Sequence, residues 1–202
     1  MASVASVVRS ADEPLVERDH NDLAVAQKRL KRIRSAAKVA TFNGWTIGVM
    51  ALLSAPFALF SLNGAVASIA LAVIAYFEFR GRRRLLNFEP EATALLGWNQ
   101  VALLVLVLGH CAWMLYGSLT GPSPLAAELE AQPDLQEVLG SVDGIDALYK
   151  EIVVAIYGMI ALLSLVFQGL NAAYYFTRKK YVLACLKDTP RWILAVERTG
   201  AR

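Results

Sequence analysis

Between Lys38 and Glu78 the chain reads VATFNGWTIGVMALLSAPFALFSLNGAVASIALAVIAYF, residues 39 to 77, with no charged side chain in 39 positions. A helix crosses the hydrocarbon core of a bilayer in about 20 residues, so this run is twice too long for one crossing and fits two. Asn63-Gly64, in its second half, supplies the turn signal that two crossings require.

Two more uncharged stretches extend the reading. Residues 92 to 127 form one of 36 positions, enough for a span and part of a loop, and residues 152 to 177 form one of 26, enough for a single span. The sequence therefore predicts an all-α integral membrane protein with four transmembrane helices, at about 39–60, 64–79, 93–116 and 152–176. An apolar content of 56% in 202 residues is too high for an ordinary soluble domain of this size, in agreement with that reading.

Charge orients the spans. Lys28, Arg29, Lys31, Arg32, Arg34 and Lys38 precede the first with no acid among them, Arg80 and Arg82 to Arg84 follow the second, and Arg178, Lys179, Lys180, Lys187, Arg191, Arg198 and Arg202 follow the fourth. The segment 118–151 instead carries Glu128, Glu130, Asp134, Glu137, Asp143, Asp146 and Glu151 against the single base Lys150. Loops rich in Lys and Arg stay in the cytosol. Four spans put every basic flank on that side and the acidic loop outside, which predicts a multi-pass cell (cytoplasmic) membrane protein with cytosolic termini. Its parts are a cytosolic tail and basic amphipathic helix over 1–38, a bundle over 39–176 with the outer loop 118–151, and a basic cytosolic tail over 177–202.

The net charge of +3 comes from bases beside the membrane, which suit anionic lipid headgroups and give no ground for nucleic-acid binding. The candidate lipid contacts are Lys28, Arg29, Lys31, Arg32, Arg34, Arg82, Arg83, Arg84, Lys179 and Lys180. Residues 1 to 21 are polar and lack the pattern of a cleavable secretory signal. Cys111 and Cys185 fall on opposite sides of the predicted membrane, so they read as packing residues and not as a disulfide.

Outside the spans, Leu23, Ala26, Leu30, Ile33 and Ala37 recur at steps of three and four, one apolar stripe on a basic helix that lies on the membrane surface or continues into the first span. Ser123-Pro124 reads as the start of a short outer helix, with Leu135, Val138, Leu139, Val142, Ile145 and Leu148 as an apolar face behind it. Thr189-Pro190 starts a last helix bearing Trp192, Ile193 and Val196, a pattern that suits an interfacial helix. Tyr174 and Tyr175 read as aromatic anchors at the inner interface. Small residues repeat every fourth position on the first two spans, at Ala40, Gly44 and Gly48 and at Gly64, Ser68 and Ala72, and predict close packing of that hairpin.

The polar residues inside the spans are the candidate site. Asn43, Asn99, Gln100, Gln168 and Asn171 all fall in the inner half, about 6 to 12 Å from the cytosolic boundary at the helical rise, with Glu78 at its edge. They form either a polar chamber for a headgroup or small solute, or hydrogen bonds that hold helices in register. The second explains them without a ligand, because amides are the usual glue of membrane bundles. Glu78 is expected to pair with the adjacent arginines. His110, the lone histidine of the spans, lacks the opposite ligand a haem would want and is expected to bond a neighbouring helix. Asp143, Asp146 and Glu137 read as capping charge for the fourth helix, since the dense acidic spacing of a calcium loop is missing.

No GxSxG, HExxH, CxxC or phosphate-cradling glycine loop occurs, so no cofactor, metal or catalytic group is predicted. The leading expectation is a non-enzymatic accessory, scaffold or lipid-organising protein, in contact with membrane lipids and with a protein partner or further copies of itself. A small-solute transporter or channel subunit assembled from several copies is the alternative. An enzyme acting on lipid headgroups ranks third, and needs Glu78 beside an arginine or His110 in an open cleft.

Overall fold

A computed structural model describes residues 17–131 and 141–200, and every element in them is helical. The order is α1 (Glu17–Ala58), α2 (Leu62–Leu86), α3 (Glu91–Thr120), α4 (Pro124–Ala131), α5 (Val142–Asp188) and α6 (Arg191–Gly200). Four of these, α1, α2, α3 and α5, are long and apolar enough to cross a membrane.

The helices overrun the predicted spans. α1 has 42 residues and α5 has 47, whereas a crossing takes about 20. Between Leu23 and Asn43 no glycine or proline interrupts α1, so the basic segment and the first span form one rod. α2 runs on through Arg80 to Arg84 although Gly81 falls among them, because arginine is a good helix former and a single glycine costs only about 1 kcal/mol. Composition marks where lipid would end, and it does not mark where a helix ends.

The turns are specified locally. Pro56 sits in the last turn of α1, and the helix stops two residues later. Ser61 caps α2, its hydroxyl accepting from the Gly64 amide at 3.0 Å, which places the turn before the predicted Asn63-Gly64. A Cβ on Gly64 would lie 2.5 Å from the Phe57 carbonyl oxygen, so only glycine fits this approach. Beyond α2, Phe88 holds a left-handed φ of 61°. The Glu89 amide donates to the Arg84 carbonyl at 3.1 Å and the Phe88 amide to the Leu85 carbonyl at 3.0 Å, a Schellman closure in which glycine is the usual occupant. Burial of the Phe88 ring in the core offsets that backbone cost.

α1 packs chiefly on α2 and α3 chiefly on α5, giving two helix pairs. The small residues of α1 serve the first pair: a Cβ on Gly44 would lie 3.0 Å from the Phe79 ring, and one on Gly48 would lie 3.9 Å from Ala75. On α2 the matching face is Ser68, Ala75 and Phe79, and Ala72 is exposed.

The two pairs join at one end, here called the basic end. The main core lies there: Ala26, Leu30, Ile33, Ala36, Ala37 and Ala40 of α1 meet Leu85, Phe88, Ala92 and Leu96, Tyr175, Val182 and Cys185 of α5, and Ile193 and Leu194 of α6. The stripe on the basic segment is thus covered by protein of the same chain, on a helix that continues into the first apolar run. α6 likewise docks through Ile193 and Leu194, with Trp192 and Val196 outward, which corrects the expected Trp192, Ile193 and Val196 face. Cys185 and Cys111 are both buried and unpaired.

At the other, acidic end, Ser123 caps α4 by accepting from the Ala126 amide at 3.0 Å, as its position before Pro124 predicts. The Ser123 amide donates to Asp146 Oδ1 of α5 at 2.8 Å, fixing α4 against α5. Ser141 caps α5 and Asp143 lies in its first turn. Glu137, Leu135, Val138 and Leu139 fall outside the described residues.

Candidate functional site: a carboxylate shared by four helices

Glu78 is the centre of the site. It lies on the α2 face formed by Ile74, Glu78, Gly81 and Leu85, at helical steps of three and four, and this face turns toward α3. Its side chain is fully buried, with 0% exposure. The arginines that follow in sequence point elsewhere: Arg80 and Arg83 are exposed and Arg84 pairs with Glu89 at 2.5 Å. The expected pairing of Glu78 with those arginines is therefore absent among the described residues.

Its partners are neutral donors from the other three long helices. Asn99 Nδ2 of α3 donates to Glu78 Oε2 at 2.8 Å, and Gln100 Nε2 donates to Oε1 at 2.8 Å. Asn43 Nδ2 of α1 reaches Oε1 at 3.3 Å, and the Tyr175 hydroxyl of α5 donates to the same oxygen at 3.2 Å. The donors are themselves cross-linked. Asn43 Nδ2 also donates to Tyr175 Oη at 3.3 Å, and Asn99 Nδ2 to the Ile74 carbonyl at 3.0 Å. Every bond to the carboxylate is a donation, so one acid satisfies four groups that would otherwise be stranded in an apolar interior.

Two glycines let the helices close on this cluster. Gly81, one turn after Glu78, faces Leu96, and a Cβ there would come within 2.5 Å of the Leu96 side chain. Gly97, one turn before Gln100, faces Phe176, and a Cβ there would come within 2.7 Å of that ring. Backbones approach closely where side chains are absent, which is how α2 meets α3 and α3 meets α5 at this level.

Of the predicted polar layer, the structure brings together Asn43, Glu78, Asn99 and Gln100. Gln168 and Asn171 stay outside the cluster, and the Gln168 Oε1 is buried without a partner. Tyr175 takes the place expected for them. It is fully enclosed, not an interfacial anchor, while Tyr174 is only partly covered and lies 4.1 Å beneath the Arg178 guanidinium. The signal was in the spacing: Gln168, Asn171 and Tyr175 follow one another at steps of three and four on one face of α5.

The basic end is held by its own charges. Arg29 donates to the Asp188 carbonyl at 2.8 Å and lies 3.7 Å from its carboxylate, and Arg34 pairs with Glu197 of α6. Arg32 stacks 4.5 Å above the Tyr181 ring, and Lys180 lies 5.2 Å from the same ring. Lys28, Lys31, Arg83 and Lys179 are exposed, and Arg82 lines a groove between α1, α2 and α6.

Toward the acidic end the two pairs enclose a second groove of about 800 Å³, lined by Leu71, Val105, Leu106, Met114 and Ile160 among others. Its polar side chains include Ser54, Asn63, His110 and Tyr157, the last two stacked edge to face with centroids 6.1 Å apart. Among the described residues His110 thus meets its neighbouring helix through a ring contact and not through a hydrogen bond. No carboxylate lines the groove, so an acid–base pair is not assembled there.

Compared with models of known protein families, with characterised proteins and with solved structures, the chain matches none, and its site stands on its own chemistry.

Proposed function

We propose that this chain is a non-enzymatic membrane scaffold that organises lipids or a partner protein around itself. The observation that carries the reading is the closure of the polar layer: Asn43, Asn99, Gln100 and Tyr175 each donate a hydrogen bond to Glu78, so the layer bonds within itself and binds four helices to one acid. A buried network of this kind fixes helix register, the role for which polar groups in bundles are best suited. On the proposed topology the basic end faces the cytosol, where juxtamembrane Lys and Arg attract anionic lipids, and the acidic loop faces outward. The chain sits in the cell membrane with both termini inside.

The test is lipid sorting by the purified protein in vesicles of phosphatidylcholine and fluorescent phosphatidylglycerol. Enrichment of phosphatidylglycerol around the protein, lost when salt is raised, is expected. Turnover of a lipid headgroup would overturn the reading.

A second reading, a transporter or channel subunit built from several copies, is favoured by the groove of about 800 Å³ between the helix pairs, which a helix of another copy would have to close. Its path would run along that groove, since the Glu78 cluster is occupied by its own donors. Solute flux into proteoliposomes that scales with oligomer content would establish it, and tight vesicles would remove it.

A further inference from the structure

We propose that the groove between α1, α2 and α6 binds one anionic glycerophospholipid of the inner leaflet, its phosphate held between Lys38 and Arg82. The proposal rests on the reading above that the basic end faces the cytosolic leaflet. The groove holds about 510 Å³ and is lined by Arg34, Ala37, Lys38 and Thr41 of α1, Arg82 and Leu86 of α2, and Val196 and Glu197 of α6. Glu197 is taken up by Arg34, whereas Lys38 and Arg82 have no acidic partner among the described residues. The groove therefore carries two positive charges from two different helices, unanswered by protein.

Height along the helices separates these two cations from the rest. Lys38 is the last charge before the uncharged run of α1, and Arg82 lies one turn beyond Glu78 on the antiparallel α2. Lys28 stands about 15 Å above Lys38 on the same unbroken helix, whereas the headgroup layer on one face of a bilayer is only about 5 to 8 Å deep. Lys28, Arg29 and Lys31 are thus carried past the headgroups, and Lys38 and Arg82 remain level with them.

Below the cations the same faces turn aromatic. Lys38, Thr41 and Trp45 follow at steps of three and four on α1, as Phe79, Arg82 and Leu86 do on α2. Trp45 and Phe79 stack edge to face at 5.9 Å, and Trp45 is 65% exposed. A phosphate seated at Lys38 and Arg82 leads its acyl chain down over this pair, so charge and apolar surface match a phospholipid end to end.

The experiment is native mass spectrometry of the whole protein in mild detergent with phosphatidylglycerol and phosphatidylcholine in competition. Wild type is expected to retain one phosphatidylglycerol. Replacing both cations, Lys38→Gln with Arg82→Gln, should weaken it about thirtyfold, at roughly fivefold for each cation near the surface. The charge-keeping pair Lys38→Arg with Arg82→Lys should retain it, which guards against misfolding, and Lys187→Gln with Arg191→Gln, two exposed cations away from the groove, should leave it in place. If the two glutamine pairs weaken binding equally, or the first has no effect, the site is overturned while the wider lipid-sorting reading stands on its vesicle result. Absence of any preference for phosphatidylglycerol in wild type overturns both. Displacement of the lipid by inorganic phosphate alone overturns a lipid as the occupant.

Discussion

The two halves of the bundle are built from the same apolar alphabet and packed in opposite ways. Around the Glu78 cluster, a methyl group added at Gly81 or Gly97 would collide with Leu96 or Phe176 at 2.5 and 2.7 Å. Toward the acidic end, methyl groups at Gly109, Gly117 and Gly158 would meet nothing within 4 Å. On α5, no residue between Val153 and Ala172 is buried. The difference teaches where packing comes from in a chain of this composition. Lipid is as apolar as leucine, so burial of leucine against leucine supplies no force between helices inside a membrane. At the level of Glu78 both conditions for close contact meet: polar groups must be satisfied and small residues allow approach.

The largest expected effect breaks the comparison at its centre. Glu78→Ala takes the acceptor from Asn99, Gln100, Asn43 and Tyr175 at once, and although Asn99 and Asn43 keep their second bonds, each buried donor left unpaired costs about 1 to 3 kcal/mol. Asn43→Ala removes only bonds of 3.3 Å and should cost about 0.6 kcal/mol, the average for interhelical bonds in membranes. Unfolding by detergent titration measures both. Equal losses for the two variants would mean that the carboxylate does not hold the helix pairs together.

An intermediate effect sharpens the comparison by its sign. Gly81→Ala gains helix propensity but must displace Leu96, which is fully buried, and overpacking of this kind costs about 1 to 3 kcal/mol. Gly158→Ala gains the same propensity, up to about 1 kcal/mol, against no clash. The first should destabilise and the second stabilise in the same titration. Two changes of the same sign would show that the halves are packed alike.

What the sequence could and could not reveal follows from the same physics. Four helices long and apolar enough to cross a membrane were legible because bilayer thickness sets a length for an uncharged run, and 39–77, 92–127 and 152–177 meet it. The helix ends were not, because arginines at 80 and 82 to 84 end a hydrocarbon span without ending a helix. Depth grouped Asn43, Asn99, Gln100, Gln168 and Asn171, of which the first three meet on one acid and the last two do not. The role of Glu78 was missed because it depends on which face of α2 the residue occupies, and its sequence neighbours Arg80 and Arg82 to Arg84 suggested a nearer partner. Tyr175 was missed for a related reason: a tyrosine near a boundary is read as an anchor unless its face is traced back through Asn171 and Gln168.

The smallest expected effect concerns a carboxylate of the acidic end that ties two elements together, and it contrasts with Glu78 in being partly exposed. Asp146 pairs with Lys150 one turn away, Nζ to Oδ2 at 2.7 Å, and accepts from the Ser123 amide at 2.8 Å. The Lys150 ammonium first, and the Ser123 donors after it, hold its carboxyl down to about 2. Its ordinary value is about 3.9, so the folded form has the lower affinity for protons, and the contribution of this contact is present above about pH 4 and lost as pH falls through about 2. The Ser123 amide resonance of the protein in detergent micelles should therefore titrate with a midpoint near 2. Lys150→Ala should raise that midpoint toward the ordinary value, since it removes the leading cause, and Asp146→Asn should abolish the titration. A midpoint near 4 in the unaltered protein would mean that α4 is not fastened to α5 by this carboxylate, and that the acidic end is looser than the comparison with the Glu78 level already makes it.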